Sequence, residues 1–225
     1  MENAERTVSA AGRQIGLYGG GGPLLLLLTG QEGAGAVYEA ARELTARPFT
    51  LAAFPVEDWD EELSPWRAEK VFRGGRDFGC GAAATLRLLE REVLPALGGG
   101  ETAYLAGYSL AGLFALWALY ESRAFAGAVS ASGSLWFPGF REFAEARDFP
   151  RRPDRLYLSL GDRESRTRNP VMAAVEENTR ALYELYRARG LACTFELNPG
   201  NHFRDPALRL AKGIAAICDL PTGDL

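Results

Sequence analysis

Residues 102–121 read TAYLAGYSLAGLFALWALYE, and this stretch decides the fold. Its first part, Thr102 to Gly107, predicts a buried strand, and Leu110 to Tyr120 predicts a helix that follows directly. Between them lies Gly107-Tyr108-Ser109-Leu110-Ala111, a G-x-S-x-A pattern. A strand that turns sharply into a helix at a serine flanked by small residues is typical of a nucleophile elbow.

The small residues around Ser109 have a physical reason. A sharp turn forces the serine backbone into a strained conformation and brings the residues two before and two after it almost into contact. Gly107 and Ala111 are small enough for this, although Ala111 is slightly larger than the usual glycine. The serine hydroxyl then lies at a helix N-terminus, where backbone N–H groups favour negative charge. The alternative is a tight turn with an incidental serine, and the flanking strand and helix favour the nucleophile.

Strands alternate with helices along the rest of the chain, which predicts a mostly parallel sheet covered by helices on both faces. We expect one domain, residues 1–225, and no large lid, because only a short insertion, 136–152, separates two of the strands. The predicted strands are Arg6–Ala10, Gln14–Tyr18, Pro23–Thr29, Phe49–Phe54, Thr102–Gly107, Phe125–Ala131, Leu156–Leu160 and Leu191–Leu197. The predicted helices are Ala36–Ala46, Ala82–Leu97, Leu110–Tyr120, Pro170–Arg189 and Pro206–Cys218.

Charge and hydropathy exclude several classes of partner. The formal net charge is −4, which disfavours nucleic acid because phosphate binding needs clustered cations. The longest apolar run, Leu24 to Leu28, is too short to span a bilayer, so no membrane partner is expected. The acidic N-terminus does not resemble a signal peptide, and we expect a cytoplasmic protein that acts on a small molecule. The oligomeric state stays open.

Cysteine and histidine content bears on metals and cofactors. The three cysteines, Cys80, Cys193 and Cys218, are widely spaced, which disfavours a disulfide framework or a zinc site. A single histidine excludes a histidine-rich metal site, although a carboxylate site for Mg²⁺ stays open. We therefore expect no metal and no cofactor.

The single histidine, His202, lies in the loop Pro-Gly-Asn-His-Phe between the last predicted strand and the last predicted helix. A lone histidine is most often a surface or core residue. Here it follows Ser109 and an acidic loop in the order Ser…acid…His that serine hydrolases with this kind of elbow require. We predict that His202 is the general base for Ser109.

An acid that orients the imidazole is expected in Gly161-Asp162-Arg163-Glu164, directly after the strand Leu156–Leu160. In mostly parallel sheets, functional groups gather at the carboxyl ends of the strands. The residues alone leave both carboxylates, Asp162 and Glu164, as candidates, and at least one of them is a plain surface charge.

An oxyanion hole needs two backbone N–H groups. Leu110, next after the nucleophile, is predicted to supply one. The loop Thr29-Gly30-Gln31-Glu32, after the leucine-rich strand, is predicted to supply the other, and Gln31 is the favoured donor. The alternative is that this loop is a simple surface turn.

Aromatic and basic residues offer weaker hypotheses about substrate. Trp136 is predicted to bind substrate, although aromatic residues are more often core residues. The same two interpretations apply to Trp59, Trp66 and Phe137. Arg166 and Arg168 follow the acidic loop and could meet an anionic substrate, but solvated surface charge is the alternative.

Several segments together resemble the putative-esterase branch of the α/β-hydrolases, which includes feruloyl esterases, S-formylglutathione hydrolases and enterochelin-type siderophore esterases. The segments are AGYSLAGLFALWALYES (106–122), SGSLWFPGF (132–140), LSLGDRES (158–165), NPGNHF (198–203), DWDEELSPWRAEKVFRGG (58–75) and LEREVLPAL (89–97). The siderophore esterases carry an additional N-terminal domain with no counterpart in these residues, so their substrate is not carried over.

The resemblance implies an α/β-hydrolase fold and a carboxylic-ester hydrolase that works through an acyl-enzyme. Related esterases place the acid in the fourth position of a Gly-x-x-Asp turn, which favours Glu164, while Asp162 could bond the turn's own backbone. Two alternatives stay open: an acyltransferase or thioesterase on the same residues, and a non-catalytic binding protein of the same fold. The set of Ser109, His202 and an acid disfavours the second.

Overall fold

The computed structural model describes residues 4–30, 33–71, 74–98 and 102–219. In these parts of the chain, eight strands form one sheet in the order β1-β2-β4-β3-β5-β6-β7-β8. The strands are β1 (Arg6–Ala10), β2 (Arg13–Gly19), β3 (Leu24–Thr29), β4 (Thr50–Pro55), β5 (Ala103–Tyr108), β6 (Gly127–Ala131), β7 (Arg155–Gly161) and β8 (Cys193–Asn198).

The sheet is mostly parallel, as predicted. Strands β1 and β2 pair antiparallel, as do β2 and β4, and every other pairing is parallel. Near their carboxyl ends, Tyr108 of β5 pairs with Ala131 of β6, and Gly161 of β7 pairs with Asn198 of β8. The segments that follow these four strands therefore emerge side by side at one edge of the sheet.

Helices cover both faces of this sheet. Side chains alternate along β3, where Leu25 and Leu27 join one hydrophobic cluster and Leu26 and Leu28 join the other. This explains why the strand is an unbroken apolar run. The helices are α1 (Ala34–Leu44), α2 (Trp59–Glu62), α3 (Ala82–Leu88), α4 (Leu94–Ala96), α5 (Leu110–Glu121), α6 (Phe140–Glu145), α7 (Pro170–Ala173), α8 (Val175–Ala188) and α9 (Pro206–Cys218).

Helix α5 is apolar on all sides because it is buried on all sides. Every residue from Leu110 to Tyr120 is buried, so the helix that follows the serine is part of the core. Helices α1 and α9 pack against each other and belong to the cluster on the opposite face. None of the helices in the described ranges has both the length and the apolar character needed to cross a membrane.

Two predicted helices differ in detail from the observed ones. The prediction of one continuous helix over Pro170–Arg189 is wrong, because the chain turns at Ala174 (φ −71°, ψ −4°) between α7 and α8. The residues around this junction include no internal proline or glycine, so the sequence pattern carries no sign of the turn. The segment Ala82–Leu97 is helical as predicted, but a π-helical turn over Leu89–Val93 joins α3 to α4. The insertion between β6 and β7 holds only the short helix α6.

Candidate active site

The turn between β5 and α5 has the strained geometry that the sequence predicts. Ser109 adopts φ 58° and ψ −122°, a conformation that L-residues rarely take. A Cβ atom placed on Gly107 would lie 2.3 Å from the carbonyl carbon and oxygen of Ala111. Position 107 therefore has no room for a side chain, and the turn can close only on glycine.

Ser109, His202 and Glu164, three residues far apart in sequence, meet beside this turn. The Oγ of Ser109 lies 3.1 Å from Nε2 of His202, and Nδ1 of His202 lies 2.7 Å from Oε2 of Glu164. Because a carboxylate only accepts hydrogen bonds, Nδ1 carries the proton and Nε2 is free to accept from the serine hydroxyl. The side chain of Glu164 is 4% exposed, whereas that of His202 is 30% exposed.

The second carboxylate oxygen of Glu164, Oε1, accepts three hydrogen bonds. Oε1 accepts hydrogen bonds from the N–H of Gly161 at 2.6 Å, from the hydroxyl of Ser132 at 2.7 Å and from Nη1 of Arg209 at 2.7 Å. Burial by itself would raise the pKa of Glu164. The hydrogen bonds from His202, Gly161 and Ser132 outweigh burial and hold the pKa of Glu164 below its ordinary value. The carboxylate therefore stays ionised in the folded protein.

Asp162, the other candidate acid, is exposed and contacts backbone. Its Oδ1 accepts from the N–H of Gly200 at 2.8 Å, and its own N–H donates to the carbonyl of Asn198 at 2.8 Å. From the sequence, Asp162 could bond the backbone of its own turn; in the structure its carboxylate bonds the neighbouring loop that carries His202. Asp162 therefore links the turn after β7 to the loop after β8.

Of the two predicted oxyanion donors, Leu110 lies within the described residues and Gln31 does not. The N–H of Leu110 belongs to the first turn of α5, where backbone N–H groups have no acceptor within the helix. It is placed directly after the strained serine. Gln31 lies outside the described residues, so its prediction stays a prediction.

Sequence reasoning missed two serines that follow β6. Ser132 is buried, has φ 46°, and bonds Glu164. Ser134 is buried, its Oγ lies 3.2 Å from Oγ of Ser109, and its N–H donates to the carbonyl of Ser109 at 2.9 Å. Their position just beyond the strand that neighbours β5 was the available signal, because that is where such sheets place functional groups.

Tyr108 and Arg209 were also missed. The hydroxyl of Tyr108 donates to the carbonyl of His202 at 2.5 Å, and Arg209 of α9 is almost completely buried and donates to Glu164. The sequence contains many arginines, and nothing in the pattern distinguishes Arg209 from the others.

Ser109 and His202 open onto a cavity of about 650 Å³. Trp136 lines this cavity and is buried, so substrate binding by Trp136 stays a prediction. Arg168 also borders the cavity, whereas Phe137 is in the core and Trp66 donates its indole N–H to the carbonyl of Pro138. The remaining wall is largely apolar and includes Val71, Met172, Val175 and the exposed Phe203.

Within the residues that the structure describes, no group of three or more His, Cys, Asp or Glu side chains is arranged to hold a metal ion. Cys193 and Cys218 are buried, and burial raises the pKa of each thiol to about 12, so both stay protonated at neutral pH.

The sheet order, the strained serine on the turn after β5 and the histidine on the loop after β8 together define an α/β-hydrolase fold. The family model described as "Putative esterase" matches residues 18–206, and the chain belongs to that family. No curated protein sequence matches the chain significantly.

Solved structures show the same fold at low sequence identity. The enterochelin esterase of Shigella flexneri matches with a TM-score of 0.69 and 20% identity, over 92% of this chain and 55% of its own. This chain thus spans about half the length of the enterochelin esterase chains. A ferulic acid esterase matches with a TM-score of 0.63 and 15% identity, over 95% of this chain and 96% of its own. A fluorophosphonate-binding serine hydrolase F of Staphylococcus aureus matches with a TM-score of 0.55 and 14% identity, over 96% of each chain.

Proposed function

We propose that the protein hydrolyses a carboxylic ester of a small molecule through a covalent acyl-enzyme. In this proposal Ser109 is the nucleophile, His202 is the general base and Glu164 is the acid that orients the imidazole. The observation that carries the proposal is the unbroken hydrogen-bonded chain from Oγ of Ser109 through both ring nitrogens of His202 to Oε2 of Glu164. Ser109, His202 and Glu164 line a cavity large enough for a small organic ligand.

The geometry supports a two-stage reaction. In the first stage, Oγ of Ser109 attacks the ester carbonyl carbon while Nε2 of His202 takes the hydroxyl proton. The tetrahedral oxyanion faces the N–H of Leu110, and it collapses when the alcohol leaves with the proton held by His202. In the second stage, water attacks the acyl-enzyme, gives its proton to His202 and releases the carboxylic acid. Ser109 recovers its proton, so neither a metal nor a cofactor is consumed or required.

The cavity wall supports a specific interpretation of how substrate binds. Trp136, Met172 and Val175 present apolar surface next to Ser109. The acyl or alcohol part of the ester would gain free energy by leaving water there, at about 25 cal/mol for each Å² of apolar surface removed from water.

A fluorophosphonate probe tests the nucleophile directly. The probe should label the wild-type protein, and peptide mapping should place the label on Ser109. Ser134 is an internal competitor, since the two hydroxyl oxygens lie 3.2 Å apart. A label on Ser134 would contradict the role of Ser109 and assign the nucleophile to Ser134, whereas no label at all would favour a binding protein.

Hydrolysis of a panel of acyl esters of graded size then tests the reaction. Ser109→Ala should lower kcat by about 10⁶ while leaving the circular dichroism spectrum unchanged. Activity within about tenfold of wild type would remove Ser109 from the mechanism.

Adding a chelator should leave the rate of ester hydrolysis unchanged. An added alcohol that captures most of the acyl group would indicate an acyltransferase instead.

A further inference from the structure

Arg209 is a charged side chain in an unusual position. It lies in the first turn of α9, and the residue is 1% exposed. An isolated buried cation is strongly unfavourable, so its retention in the fold depends on the groups that surround it.

The guanidinium of Arg209 bonds every segment that carries a residue of the site. Nη1 donates to Oε1 of Glu164 at 2.7 Å, to Oγ of Ser132 at 2.8 Å and to the hydroxyl of Tyr108 at 3.3 Å. Nη2 donates to the carbonyls of Asn201 at 2.9 Å and Pro199 at 3.3 Å. One planar group therefore connects the carboxyl ends of β5, β6 and β7 and the loop after β8.

The backbone makes room for this contact. A Cβ atom on Gly161 would lie 2.7 Å from Nη2 of Arg209 and 2.3 Å from the carbonyl oxygen of Gly200. Gly161 is also the residue whose N–H bonds Glu164. The turn that presents the acid thus has no side chain where the guanidinium passes.

We infer that Arg209 is a positioning residue for the reaction, one that fixes the Glu164 carboxylate and the His202 loop relative to each other. This inference rests on the proposed function of Ser109, His202 and Glu164. Arg209 is not itself among the residues that line the cavity, so it acts through Glu164 and Ser132 and through the backbone on either side of His202. A lysine could supply the charge, but its single ammonium cannot reach acceptors on both sides of the planar fork.

Several charged and titratable groups surround His202. The charged and titratable groups around the imidazole are Glu164 from the turn after β7, Tyr108 from the end of β5, Arg209 from α9, Arg168 at the cavity wall and Asp162, which bonds the loop backbone. Removing one positive charge from this set favours the protonated imidazole. The effect differs from a mere loosening of the fold, which would not change the titration of His202 in a fixed direction.

Proton NMR can follow this titration because His202 is the only histidine. We expect Arg209→Met to move the titration midpoint of the imidazole signal upward, because a nearby positive charge is lost. The acid limb of kcat/KM should move with it, and kcat should fall by about 10² with little change in KM. Arg155→Met is the matched control, because Arg155 is a partly buried arginine that donates to the carbonyl of Ala216 at the other end of α9. It should leave both the midpoint and kcat near wild type.

Arg209→Lys separates charge from geometry. It should keep the wild-type titration midpoint but lower kcat by about tenfold, because the fork is lost. Equal titration midpoints and equal kcat values in Arg209→Met and Arg155→Met would overturn the inference. If Arg209→Met does not fold, a wild-type kcat in Arg209→Lys would overturn it instead. If the wild-type protein hydrolyses no ester and takes no fluorophosphonate, the proposed function fails. The NMR titration needs no substrate and still tests Arg209.

Discussion

Ser109 and Ser132 are serines that adopt positive φ angles, 58° and 46°, at the ends of the neighbouring strands β5 and β6. Such conformations cost about 1–3 kcal/mol each and persist where the surrounding structure holds them. At Ser109 the strain places Oγ against His202, and at Ser132 it places Oγ against Glu164. Both strained residues thus hold a hydroxyl where the candidate site uses it.

The choice between the two acids can be tested at the residue scale. Glu164→Gln replaces an oxygen of a buried carboxylate with an amide NH₂ group, which cannot accept hydrogen bonds. We expect kcat to fall by about 10² to 10⁴, measured with a chromogenic ester.

Asp162→Asn is the matched control for this change. Asp162 is exposed and accepts a single backbone N–H from Gly200, which the oxygen of asparagine can also accept. Its effect on kcat should be the milder one. If Asp162→Asn is crippling and Glu164→Gln is nearly silent, the roles of the two carboxylates are reversed.

At the scale of one element, the turn between β5 and α5 depends on the size of two residues. Gly107→Ala puts a Cβ atom 2.3 Å from the backbone of Ala111, and we expect it to lower the free energy of unfolding by about 3 kcal/mol. Ala111→Gly is the control, which removes a methyl group and costs only about 1 kcal/mol of helix propensity. Urea unfolding of both variants gives the comparison. Equal stability of the two would show that the turn has more room than the structure indicates.

Helix α7 offers a second test at this scale. Asn169 caps its N-terminus by accepting from the N–H groups of Val171 and Met172, and its Nδ2 donates to the carbonyl of Val71 at 2.6 Å. Because Val71, Asn169 and Met172 line the cavity, Asn169→Ala should lower the free energy of unfolding by about 1 kcal/mol and also raise KM.

The control for the cap is Asp58→Ala. Asp58 caps α2 by accepting from the N–H of Glu61, and it is not among the residues that line the cavity. A similar loss of stability with an unchanged KM is expected. If the two variants change KM equally, Asn169 has no role at the cavity beyond capping.

Local patterns explain what could be predicted from the sequence. The turn at Ser109 and the alternation of strands and helices depend on neighbouring residues, and the structure shows both. The helix break at Ala174 and the partners of Arg209 depend on other parts of the fold. Ser132 is 77 positions from Arg209, and Glu164 is 45 positions from it. A contact between residues so far apart in sequence leaves no local periodicity or motif. The burial of Arg209 and its partners therefore could not be predicted from the sequence.

At the scale of the whole molecule, the lowered pKa of Glu164 links folding to pH. Its folded pKa lies below its ordinary value of 4.5, so the unfolded chain binds the proton first as the pH falls. The stability that the ionised carboxylate contributes is present above this ordinary value and is lost as the pH falls through the folded pKa.

Urea unfolding of wild type and Glu164→Gln at a series of pH values checks this linkage. Wild type should be the more stable at about pH 5, and the difference should narrow toward about pH 3, because glutamine does not titrate. Other carboxylates titrate in both proteins and cancel in the difference. Parallel curves across this range would show that Glu164 gains no stability from its ionised form.

The order of the site residues along the chain has a consequence for biosynthesis. His202 follows Ser109 by 93 positions, and Arg209 follows Tyr108 by 101 positions. A ribosome that adds about 5–20 residues per second needs roughly 5–20 s to cover that distance. Throughout this interval the emerging polypeptide already contains the serine but neither the imidazole that would deprotonate it nor the cation beneath them. On the proposed mechanism, a nascent chain cannot hydrolyse esters until helix α9 has been translated and has docked.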